Sequence, residues 1–140
     1  CLINSFESYK RAFKIADSEN IGMEFCIGCW LEGGKNFGNI LEALPYFIEE
    51  NKIFIVHFRN VSSSLPEFKE TFLDNGYMNM FEIMKTLYMN DYKGTVTMDH
   101  SPRFIEEAGN DQYCKQGVAE AAYGMGYMNS LLNTVKMNNN

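Results

Sequence analysis

No apolar run in this sequence approaches the roughly 18–20 residues that a membrane-spanning helix needs. No secretory signal pattern is found at its start, so a membrane partner is not expected. Basic residues are scarce: 12 Lys and Arg stand against 18 Asp and Glu, a net charge of -6. That balance argues against duplex nucleic acid or an anionic membrane surface as the main partner. Four cysteines in 140 residues do not make a disulfide scaffold. Beside nine methionines they point to a reducing, cytoplasmic setting. The sequence has no second Cys-x-x-Cys, no phosphate-binding fingerprint around Gly33-Gly34, no low-complexity linker and no convincing internal repeat. It opens on Cys1 rather than Met, which suggests a processed, trimmed or partial product.

What is present suits a globular core. Hydrophobic residues make up 46% of the chain and aromatics 14%, which excludes a disordered segment. Ser5–Asp17 reads as a helix, with Phe6, Tyr9, Phe13 and Ala16 at helical spacing. Gly22–Gly28 is a short apolar strand, and Gly28–Gly38 a glycine-rich loop. Asn39–Glu50 reads as a helix that Pro45 threatens to kink or split. Lys52–Arg59 is the clearest strand, apolar enough to be buried on both faces. A polar loop over 60–77 contains Ser62-Ser63-Ser64, in which nothing marks a nucleophile. A helix over Met78–Asn90, a strand over Gly94–Asp99, a loop through Gly109 and a helix over Gly117–Met137 complete the chain. The order α-β-α-β-α-β-α describes an α/β domain with parallel strands.

In such folds chemistry collects at the carboxyl ends of the strands. Those ends hold Cys26, His57 and Asp99-His100, spaced 31 and 42 residues apart. A thiol, an imidazole and a carboxylate suit a divalent transition metal. Singly, each also fits a packing role: a buried thiol, a structural histidine, a loop acid. Cys26-Ile27-Gly28-Cys29 admits a competing reading as a redox pair or half a zinc site. Against it, such a pair belongs at a helix start, whereas Cys29 is expected to run into a loop. Strand alternation puts Arg59 on the face of His57, where it would either clamp a carboxylate substrate or pair with a structural acid. Glu49-Glu50 and Glu106-Glu107 read as solvated acids.

The segments GMEFCIG, IFIVHFRNV, FLDNGYMNMFEIMKTL and TMDHSPR, in that order, resemble the mannonate dehydratase family over about Arg11 to Val135. The resemblance implies a TIM-type (β/α) barrel carrying Mn2+ or Fe2+. Residues 1–140 would be the C-terminal portion of that barrel, a little over half of an enzyme of about 250 residues or more. It implies dehydration of D-mannonate to 2-keto-3-deoxy-D-gluconate in hexuronate breakdown, in the cytoplasm. By motif, the family's metal ligands fall on Cys26, His57 and Asp99. An acid/base histidine falls on His100, and the catalytic tyrosine on Tyr113. Arg59 and Arg103 would contact the sugar acid. The family's further histidine ligand belongs on an earlier strand, and no histidine precedes Cys26. The sequence leaves room for another metal-dependent sugar isomerase or epimerase, a non-catalytic metal-binding fragment, or the Cys-x-x-Cys protein. A homo-oligomer, or association with the missing part of the barrel, is expected.

Overall fold

The computed structural model describes residues 3–103 and 117–139. Tyr113, Glu106 and Glu107 lie outside the described residues. Eight elements follow one another: α1 (Phe6–Ala16), β1 (Met23–Cys26), α2 (Ile27–Phe37), α3 (Ile40–Glu49), β2 (Ile53–Phe58), α4 (Met80–Met89), β3 (Thr95–Met98) and α5 (Val118–Asn138).

Ser5 caps α1 reciprocally. Its side chain accepts from the Ser8 backbone N–H, and the Ser8 hydroxyl accepts from the Ser5 backbone N–H at 2.8 Å. The helix ends where Asp17 takes a left-handed conformation. Side chains of Asn39 and Asn79 cap α3 and α4 in the same role. Pro45 does not split α3. The buried residues Ile40, Ala43, Leu44 and Phe47 recur at helical spacing and hold the helix on the core through the proline.

The segment expected to be a glycine-rich loop is helical. Low helix propensity at Gly28, Gly33 and Gly34 suggested a loop. Yet Ile27, Trp30 and Leu31 are buried, and the Trp30 ring stacks on Phe25 with centroids 4.7 Å apart. Tertiary burial outweighs propensity here. The glycines survive as local devices. Gly34 breaks the helical path at φ 54°, ψ -140°, and Gly28 leaves room for Arg59, whose Cδ would lie 2.7 Å from any added Cβ.

The three strands form one parallel sheet in the order β1-β2-β3. Phe25, Val56 and Phe58 are fully buried under the helices, beside Trp30, Phe47 and Ile83. The opposite face is only partly covered: Glu24 is exposed and Cys26, Ile55, His57 and Thr97 are half-buried. The β2 strand is therefore buried on one face rather than two. Register places Cys26 opposite His57, and His57 opposite Thr97. Parallel pairing thus aligns the chemistry-bearing strand ends in a single row. No described helix is long and apolar enough to cross a membrane.

Candidate metal centre

Each donor owes its place to a strand end. Cys26 closes β1 and caps α2, its Sγ accepting from the Cys29 backbone N–H at 3.4 Å. His57 is the penultimate residue of β2. Asp99 follows β3 directly, and its backbone N–H reaches the Phe58 carbonyl at 3.5 Å, extending the ladder by one residue. The Cys26 thiol donates to Asp99 Oδ2 at 3.5 Å, and His57 Nδ1 lies 3.8 Å from the same oxygen. Ligand atoms of Cys26, His57 and Asp99 all lie within 4.8 Å of one another. Bonds of about 2.0–2.3 Å from a shared ion to N, O and S donors fit the 3.5 and 3.8 Å pairs, and the widest pair would close by a few tenths of an ångström. A soft thiolate, an imidazole and a carboxylate also fit a divalent transition metal chemically.

A second carboxylate stands beside the row. Glu24 precedes Cys26 by two residues on β1 and so shares its face. Its Oε1 lies 2.9 Å from His57 Nδ1. Sequence reasoning missed this residue, although the two-residue strand period was the signal that could have found it.

The neighbouring Cys29 thiol pushes the Cys26 thiol up, with burial and the Asp99 carboxylate adding to the shift. The same interaction lowers Cys29. Cys29 does not run into a loop: it sits in the first turn of α2, with Cys26 as the cap. A Cys-x-x-Cys pair therefore does sit at a helix start, while the absence of a second Cys-x-x-Cys still counts against a zinc site.

Arg59 is 3% exposed. Its Nε donates to Glu70 Oε2 at 2.9 Å, while Nη2 reaches Glu32 Oε1 at 2.6 Å and also bonds Glu70 Oε1. Burial works against the charge, but Glu70 and Glu32 outweigh it and hold the guanidinium above its usual value. Of the two roles open to Arg59, pairing with acids is the one its contacts display. Glu70 then passes the contact onward, with Oε2 lying 3.3 Å from His100 Nδ1. His100 is half exposed, and its backbone N–H donates to Asp99 Oδ1 at 2.8 Å. Arg103 is exposed in the stretch that follows. Neither Glu32 nor Glu70 was singled out from sequence, because nothing local ties a helix acid and a loop acid to Arg59.

Asn60, the next residue, is fully buried. Its Nδ2 donates to the Leu73 and Met78 carbonyls at 3.0 and 2.9 Å, and Oδ1 accepts from the Val61 and Met78 N–H groups. This closes the long loop over the sheet and carries Glu70 to Arg59.

The chain matches the family model for D-mannonate dehydratase (UxuA) over residues 1–140. It is 28% identical over 131 residues to a mannonate dehydratase of Lactococcus lactis subsp. lactis (strain IL1403), covering 89% of this chain and 35% of that protein. A mannonate dehydratase of Streptococcus pneumoniae (strain 70585) is 29% identical over 133 residues, with 93% and 35% covered. The crystal structure of mannonate dehydratase from Streptococcus suis serotype 2 superposes with a TM-score of 0.83 at 25% identity, covering 98% of this chain and 39% of that one. An L-ribulose 3-epimerase shares the fold, with a TM-score of 0.68 at 16% identity over 98% of this chain and 44% of that one. The chain spans about a third of the length of the curated relatives it matches, less than the half expected from barrel size.

Proposed function

The chain belongs to the D-mannonate dehydratase family, and from that premise we propose that it carries most of the divalent-metal site of a hydro-lyase acting on D-mannonate. The observation that carries the reading is the meeting of Cys26, His57 and Asp99 from three separate strand ends. Residues 1–140 are read as the C-terminal portion of a (β/α) barrel, with the half-covered sheet face as its interior. The family's further histidine ligand would come from a strand this chain does not contain.

Cys26 Sγ, a His57 ring nitrogen and an Asp99 oxygen would hold Mn2+ or Fe2+. When bound, such an ion supplies positive charge against the negative charge that develops as the C2 proton leaves. Glu24, whose Oε1 lies 2.9 Å from His57 Nδ1, would orient the imidazole for the ion. His100 acts as the acid that protonates the departing C3 hydroxyl, and Glu70, 3.3 Å from its Nδ1, orients it. The enol left by loss of water relaxes to 2-keto-3-deoxy-D-gluconate. Tyr113, assigned by resemblance alone, takes the C2 proton. Arg103 meets the sugar acid, while Arg59 serves the site through Glu70. The expected setting is hexuronate breakdown in the cytoplasm.

Turnover of D-mannonate by the complete barrel tests this reading. Chelation is expected to abolish turnover, Mn2+ to restore it, and Cys26→Ala or Asp99→Asn to lower it by orders of magnitude. Activity that survives both substitutions would overturn the assignment.

A further inference from the structure

We propose that Cys26 and Cys29 form a reversible thiol pair whose oxidation to a disulfide withdraws Cys26 from the site and closes it to metal. The pair spans the first turn of α2, with Cys26 as the cap. The Cys29 N–H donates to Cys26 Sγ at 3.4 Å, which holds the Cys26 sulfur against the residue that bears the second thiol. Turn-spaced cysteines at a helix start can close a disulfide by side-chain rotation, without moving the helix. Access is asymmetric. Cys26 is half-buried facing Asp99, whereas Cys29 is exposed. Cys29 also lines an open groove of about 580 Å³ with Glu32, Gly33, Lys35, Ser64 and Leu65. A small disulfide that enters this groove meets Cys29 first, and Lys35 offers a counter-charge to a carboxylate on it.

The oxidant is a low-molecular-weight disulfide, for which oxidised glutathione is the probe. Cys29, as thiolate, attacks one sulfur of the probe. The probe's S–S bond breaks, one glutathione leaves and takes up a proton, and a mixed disulfide remains on Cys29. Cys26 then gives up its proton and attacks Cys29 Sγ, releasing the second glutathione as thiol. Two protein thiols have become one disulfide while one disulfide has become two thiols, so the electrons balance. The thiolate is the metal ligand, and a disulfide sulfur no longer supplies it. Disulfide formation stands on the thiol geometry alone; the loss of metal rests on the metal reading above.

The test exposes the protein to oxidised glutathione, alkylates the remaining thiols and reads the peptide containing both cysteines by mass spectrometry. Mn2+ binding is titrated in parallel. The expected peptide has lost two hydrogens and takes no label. Mn2+ affinity falls at least about tenfold, and dithiothreitol reverses both changes. Cys29→Ser is expected to keep Mn2+ binding through the same treatment. A peptide that still takes two labels, or glutathione retained on Cys29 with Cys26 free, would overturn the pair. Disulfide formation in a protein whose reduced form binds no Mn2+ would uphold the pair and overturn its link to metal.

Discussion

His57 has two acidic neighbours with different tasks. Asp99 is positioned to share an ion with it, whereas Glu24 Oε1 lies 2.9 Å from Nδ1 and stands where it can steady the ring. Replacing Glu24 by Gln keeps the side-chain shape but removes the charge that fixes the imidazole. Mn2+ affinity should then fall about ten- to a hundredfold, the usual effect of losing a ligand's outer partner. A calorimetric titration reads this directly, and unchanged affinity would show that Glu24 is a bystander. The three donors were legible in the sequence because each sits at a strand end, a position that topology alone makes meaningful. Their supports were not. Arg59 could be placed on a strand face, but Glu32 and Glu70 reach it from a helix and a loop, a meeting that no local pattern encodes.

At the scale of elements, α2 decides the character of the site. It starts on Cys26, the proposed metal ligand, and covers Phe25 with Trp30. Its glycines obscured it, since propensity reports the isolated segment while burial of Ile27, Trp30 and Leu31 decides the outcome. Its break at Gly34 is as much a part of the design as its body. The φ of 54° is one that a side chain resists, and an added Cβ would lie 2.7 Å from Ser64 Cβ. Gly34→Ala is therefore expected to cost about 1–3 kcal/mol in urea unfolding. An unchanged midpoint would mean that the turn relaxes freely. Strand and helix placements elsewhere followed from period and capping, and even Pro45 was carried by the apolar stripe around it.

At the scale of the molecule, a three-stranded parallel sheet leaves the outer sides of β1 and β3 unpaired among the described residues. Such edges recruit further strands. In the barrel reading those strands are the rest of the enzyme, consistent with relatives of which this chain covers about a third. Alone, the chain should associate. Light scattering after size exclusion is expected to give a mass above that of one chain, and a strict monomer at high concentration would contradict this. That the chain spans about a third of its relatives rather than the half expected was not legible in the sequence, because a barrel's typical length does not set a family's length. Calorimetric titration with Mn2+ reads whether the sheet brings Cys26, His57 and Asp99 together as one site. One site per chain is expected, weakened roughly a hundredfold or more by either Cys26→Ala or Asp99→Asn. Equal titration of the unaltered chain and both variants would contradict it.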